Sequence, residues 1–356
     1  MRGSVYNQLR SRLDLPNIPA LDGIRAVSVA LVILFHAGIP VSGALGVLIF
    51  FVLSGFLITW LLLKEDEKTG TISLKGFYRR RALRIFPAFY CLWLVTAVLR
   101  VARGGVIPWA AAWSSFFYYA NYYQGIMRPT DSYLLHTWSL AVEEQFYLCW
   151  PLLFLLLSKD RRRLAWTLVG IIALVIAHRT GLCLAGAPVQ YISYTFDCRA
   201  DSLLWGCLLA VALRGGYLLP FWGWACRRAW APLLTAGFVA VTAAAHVNTM
   251  IRLTVLPPAV AILICQLVLQ SQSRLWRWLN SGIARYLGQI SYPLYLYHGI
   301  GVARLPIPGW LKLPLIIGVA VALASASYYA VERPILRRFK APNKVQVPEM
   351  ATSPCL

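Results

Sequence analysis

Asp22, Arg25 and His36 stand within one apolar stretch, Leu21–His36, that is apolar enough to cross a bilayer. An ionisable group at the centre of a membrane helix costs on the order of 3 kcal/mol, so such groups mark a functional interior. At about 100° per residue, Arg25 and His36 return to nearly one helical face, ~16 Å apart along the axis. A permanent cation near one membrane surface and an imidazole deep inside suit a molecule with an anionic head and a reactive group on a long arm. The plainer reading is a snorkelling arginine and a core histidine bonded to a neighbouring helix.

Further along, His136, Ser139 and Glu143 fall at i, i+3 and i+7, one face of a helix, with Glu144 about 100° away. One reading has Glu143 or Glu144 orienting His36 and stabilising its imidazolium, as a carboxylate does beside a catalytic base. The other makes one of the two an ion-pair partner of Arg84 or Arg25. Asp197 and Asp201 are one turn apart with Arg199 between them and Trp205 a turn on. Carboxylates beside an indole suit a sugar; a helix-capping role explains Asp197 well and Asp201, already inside the helix, poorly. Arg25, Arg79, Arg80, Arg81 and Arg84 form a candidate phosphate site, since guanidiniums fork onto phosphate oxygens. Some of these five would serve only to hold a loop on the cytoplasmic side. His298 is a plausible acceptor contact, Glu332 a salt-bridge partner, and His178 and His246 lack supporting company.

The elements that must position these groups are membrane helices. Of 356 residues 59% are hydrophobic and 13% charged, outside the range of soluble globular chains. Several apolar runs are long enough to span a bilayer. The net charge of +21 sits in short segments between those runs, which fits cytoplasmic loops and excludes a basic nucleic-acid-binding face. The eight cysteines form no Cys-x-x-Cys and read as small buried hydrophobes, so no metal site is expected. Arg2, Arg10 and Arg12 precede an apolar run, but Asp22 and Arg25 are wrong for a signal peptide.

Spans are expected at about 20–39, 44–63, 85–102, 137–157, 164–184, 198–214, 230–247, 254–271, 286–304 and 313–332. The aromatic segment 109–123 would, as a crossing, place Lys159–Arg163 outside, so it reads as interfacial or re-entrant. The fold expected is an all-α polytopic membrane protein with about ten transmembrane helices and both termini cytoplasmic. Residues 1–18 form a cytoplasmic N-terminal segment, 19–340 the membrane domain and 341–356 a disordered cytoplasmic tail.

Arg25 followed by ten residues and His36 resembles the first-helix signature of acyltransferase family 3, membrane enzymes that acylate sugars and other hydroxyl acceptors. The likeness continues through Gly46–Phe56, Phe77–Pro87, His136–Tyr147, Gly288–His298 and Glu332–Pro334. It implies an O-acyltransferase of a bacterial plasma (inner) membrane, moving an acyl group, acetyl first of all, from cytoplasmic acyl-coenzyme A to a sugar-containing acceptor. Acyl-coenzyme A is then a co-substrate, and no bound cofactor is expected. His36 would be the general base, with Glu143 and Glu144 beside it. Arg25, Arg81, Arg84 and Ser54 would bind the donor, and His136, Asp197, Asp201, Trp205 and His298 the acceptor. Ser54 or His36 could instead carry the acyl group. Some members carry a fused hydrolase-like domain after the membrane part; none is expected here. A transporter or flippase with buried charges lining a path is the competing reading, against which stands the lack of evident inverted repeats.

Overall fold

Capping residues set where the helices begin. In this computed structural model the described residues are 7, 11–15, 18–131, 133–245, 248–300 and 309–339, with backbone only at 309, 310, 312 and 339. The expectations for Arg2, Arg10, His246, Cys355, most of 1–18 and the tail 341–356 lie outside them. All regular structure among the described residues is helical. Helix α1 (Pro19–His36) opens with a proline in its first turn, where a missing N–H costs nothing. For α2 (Gly43–Thr69), the Ser42 hydroxyl accepts from the Leu45 N–H at 3.2 Å, and Gly70 ends the helix at φ 77°. Ser73 caps α3 (Leu74–Ala102) in the same way. Two short helices, α4 (Trp109–Phe116) and α5 (Ala120–Met127), lead through a 3-10 turn to α6 (Trp138–Leu157).

Asp160 caps α7 (Arg161–Leu184); α8 (Val189–Tyr194), α9 (Phe196–Arg214), α10 (Leu219–Ala225) and α11 (Ala231–Ala244) follow. Asn248 starts α12 (Thr249–Gln270), and Ser281 starts α13 (Gly282–Gln289), which leads to α14 (Ser291–Tyr297). Helix α15 (Gly309–Ser327) runs through a π-helical turn into α16 (Arg333–Phe339).

Among the described residues seven helical segments are long and apolar enough to cross a membrane: α1, α2, α3, Leu135–Leu157, α7, α12 and Leu313–Arg338. Val189–Arg214 with α10, bent by 107°, makes up to eight. That is fewer than the ten expected, and the shortfall has two sources. Helix α11 has 14 residues, ~21 Å of rise against a hydrocarbon core of ~30 Å. The expected span 286–304 is broken at Ile290 between α13 and α14, and 301–304 lies outside the described residues. The aromatic segment folds as α4 and α5, eight residues each and too short to cross.

Helix α2 is the axis of the bundle, packing against α1, α9, α12 and α6. Its crossing with α9 depends on two glycines. A Cβ on Gly55 would lie 1.9 Å from the Leu203 carbonyl oxygen, and one on Gly206 2.0 Å from that of Val52. In lipid, helices associate by such close packing, because burial against another apolar surface gains little there. Gly288 on α13 meets the Asp22 carbonyl in the same way, and this fixes the first turns of α1, where Arg25 sits. Ion pairs tie the far ends of the helices. Asp66 holds Arg161 at 2.8 Å and Lys159 at 3.7 Å, while Arg214 binds Glu67 and, at 2.5 Å, Asp14.

Candidate active site

Two helices bring the arginines together. Arg25 from α1 and Arg81 and Arg84 from α3 line one cavity of about 90 Å³, with Ser54 of α2 and Glu143 and Tyr147 of α6. Arg25 lies 3.7 Å from Asp22 one turn back on α1. Arg81 is steadied over the rings of Tyr147, at 5.3 Å, and Phe77, at 5.8 Å. The Ser54 hydroxyl donates to Glu143 Oε1 at 2.8 Å. Guanidiniums around a small chamber with a serine–carboxylate pair suit an anionic ligand whose chain continues inward.

Ser139 of α6 and Tyr295 of α14 also line this cavity, and their hydroxyls are 2.6 Å apart. Tyr295 also donates to the His136 carbonyl at 2.7 Å. Beyond it lie three imidazoles. The His298 ring is 4.7 Å from His36 and 5.4 Å from His136, centroid to centroid, and 5.7 Å from Tyr295. His36 Nδ1 is 2.8 Å from the Val32 carbonyl oxygen, which can only accept, so Nδ1 carries the proton. The neutral ring then presents Nε2 as a base. His136 Nε2 is buried without a hydrogen-bond partner among the described residues.

His36 is not deep inside, as its place in the apolar run suggested. It closes α1 and is exposed at the end of the bundle. Among the described residues no hydrogen bond joins Glu143 or Glu144 to His36, and neither forms a salt bridge; Glu143 Oε1 accepts from Ser54. Glu143 belongs to the arginine cavity instead. Of the expected acceptor residues, His136 and His298 join His36, whereas Trp205 lines neither this cavity nor a second one described below.

Asp201 forms a fully buried pair with Arg179 at 2.9 Å, leaving no accessible surface for a sugar hydroxyl. Arg179 was missed in the sequence, although a guanidinium inside the apolar run of α7 was a signal. Asp197 accepts from His178 Nε2 at 2.9 Å, Tyr122 at 3.1 Å and Tyr191 at 3.3 Å. His178 therefore does have company, from a residue too distant in sequence to be seen. Donor atoms of His178, Asp197 and Cys198 lie within 4.8 Å of one another, a spacing that a metal ion could share.

Residues 18–329 match the acyltransferase domain of acyltransferase family 3. The chain belongs to this family. It is 31% identical over 357 residues to the peptidoglycan O-acetyltransferase OatA of Listeria monocytogenes, covering 91% of this chain and 57% of OatA. Identity to YrhL of Bacillus subtilis, provisionally named for the same activity, is 28%, covering 89% of this chain and 55% of YrhL. The acyltransferase chain thus spans about half the length of these relatives. No solved structure matches it. Membership favours the enzyme reading of the buried charges over the transport reading.

Proposed function

We propose that this family 3 chain is a membrane O-acyltransferase that moves an acyl group, in the simplest case acetyl, from cytoplasmic acyl-coenzyme A to a hydroxyl of a sugar-containing acceptor. The observation that carries this is that Tyr295 lines the arginine cavity while its ring stands 5.7 Å from His298 and 6.0 Å from His136. Arg25, Arg81 and Arg84 would hold the donor's phosphates, and Ser139 and Tyr295 would line the way to His36. Arg25 and His36 are ~16 Å apart along α1, a distance suited to an extended thiol arm.

In the direct route, His36 Nε2 takes the proton of the acceptor hydroxyl as its oxygen attacks the thioester carbonyl. The tetrahedral adduct collapses, the C–S bond breaks, and the thiolate recovers the proton from the imidazolium. A positioned base of this kind contributes ~10²–10⁴-fold. The Ser54–Glu143 hydrogen bond supports a second route, in which Glu143 takes the Ser54 proton and the serine carries the acyl group before the acceptor does. Initial rates with both substrates varied separate the two: intersecting lines mark the direct route, parallel lines the acyl-serine. If no acyl ester forms with either, the acyltransferase reading fails.

We further propose that both termini are cytoplasmic and that α11 and the α13–α14 segment complete ten crossings. The basic loops support this orientation, because ten crossings would put Lys159–Arg163, Arg227, Arg228 and the α12–α13 connection all on the cytoplasmic side. The histidines then lie toward the outer face, where a surface glycan would be met. The protein would reside in a bacterial plasma membrane, with surrounding lipids as its solvent.

A further inference from the structure

A second cavity, of about 220 Å³, opens at the histidine end of the bundle. Ser42 before α2, Trp138 at the start of α6, Ser193 and Tyr194 of α8, Arg199 of α9, and Thr249 and Arg252 of α12 supply its polar and aromatic lining. Among the described residues two guanidiniums and no carboxylate line it. Arg199 is 5% exposed, and its Nε lacks a hydrogen-bond partner. Among the described residues its guanidinium makes no salt bridge. It lies over the rings of Phe51, at 5.7 Å, and Trp138, at 6.0 Å. Of the two acids two residues away, Asp197 is bonded to His178, Tyr122 and Tyr191, and Asp201 pairs with Arg179 and reaches Arg199 only electrostatically. Arg252 bonds only weakly, donating to Thr249 Oγ1 at 3.4 Å.

A buried guanidinium that shares one carboxylate with a second guanidinium, as Arg199 shares Asp201 with Arg179, carries a desolvation cost that this carboxylate and the ring contacts offset only in part. An anion in the cavity would offset the rest, held by forked donors in a low-dielectric site. The cavity is also placed for a part in transfer. Phe51 lines the arginine cavity and Trp138 lines this one, and their rings meet edge to face at 6.0 Å. The two chambers therefore stand back to back across one aromatic wall. Trp138 and Tyr194, 5.0 Å apart, offer flat surface for a sugar ring beside the charge.

We propose that this cavity is an acceptor subsite for a sugar bearing an anionic group, a carboxylate or a phosphate. The proposal rests on the acyltransferase reading and narrows its acceptor from sugars in general to acidic ones. Binding to the purified full chain in detergent, measured by calorimetry, tests it with glucuronic acid, glucose 6-phosphate, glucose and inorganic phosphate. At least one acidic sugar should bind ten times tighter than glucose, and which one does identifies the group recognised. Arg199→Gln and Arg252→Gln should each weaken that binding at least tenfold. Arg252 is only half-buried, so its variant keeps the test valid if loss of Arg199 prevents folding. Saturating coenzyme A should leave acidic-sugar binding unchanged.

Equal binding of glucose and both acidic sugars would overturn the proposal, as would wild-type affinity in Arg252→Gln. Inorganic phosphate binding as tightly as the better acidic sugar, or displacement of that sugar by coenzyme A, would also overturn it. Calorimetry reads binding without turnover. Acidic-sugar selectivity absent while acyl transfer proceeds removes only this proposal; selectivity present without any transfer removes the acyltransferase reading.

Discussion

The His36 and His298 rings face one another at 4.7 Å, tilted by 58°, although they come from the end of the first helix and from the residue that closes α14. Neither ring is placed by its own helix alone. Gly288 holds α13 against the Asp22 carbonyl and thereby sets α14 beside α1. The two rings are positioned by helix packing.

Donor binding should depend on Arg25. Arg25→Ala removes a charged hydrogen-bond donor worth ~1.5–3 kcal/mol, so the donor KM should rise about 10- to 100-fold. Arg25→Lys should restore binding only in part, since an ammonium cannot fork. Steady-state kinetics with acetyl-coenzyme A as the varied substrate checks this. A lost kcat with unchanged KM would move Arg25 to the reaction centre.

Asp201 should behave as a structural residue. Asp201→Ala leaves the Arg179 guanidinium buried and uncompensated, at a cost of about 3–5 kcal/mol. Thermal unfolding in detergent should show a large fall in Tm, with an unchanged acceptor KM in whatever protein remains folded. A stable variant with a raised acceptor KM would return Asp201 to the acceptor site.

The α2–α9 crossing should tolerate no side chain at Gly206. The added Cβ of Gly206→Ala would lie 2.0 Å from the Val52 oxygen and 2.6 Å from the Phe56 nitrogen. Overpacking of this kind costs ~1–3 kcal/mol. Gly237 in α11 has nothing within 4 Å of an added Cβ, so Gly237→Ala should be neutral or stabilising by ~0.5–1 kcal/mol. Melting temperatures of the two variants should move in opposite directions or differ by several degrees.

Much of this was legible in the sequence because charges inside apolar runs are few and each needs a partner. Arg25, Arg81, Arg84 and Ser54, expected together, do line one cavity, which Glu143, expected beside His36, joins. What was hidden is which charge meets which. The ties of Arg179 to Asp201 and of His178 to Asp197 join different helices, and no periodicity reports such pairings. The depth of His36 was misjudged because hydrophobicity continues past it through Ile39–Val41, while α1 stops at His36. Helix α11 and the α13–α14 break likewise show that an apolar run sets where a helix can lie, not how long it is.

The central claim is that His36 moves the acceptor's proton during acyl transfer from acyl-coenzyme A. Membranes containing the full chain, supplied with acetyl-coenzyme A labelled in its acetyl group and with a glycan acceptor, should form alkali-labile labelled ester. His36→Ala should lower that rate by ~10²–10⁴-fold while leaving membrane content and Tm unchanged, because the residue is exposed at a helix end. Wild-type turnover in His36→Ala, or label that never leaves coenzyme A in the unaltered protein, would contradict the account.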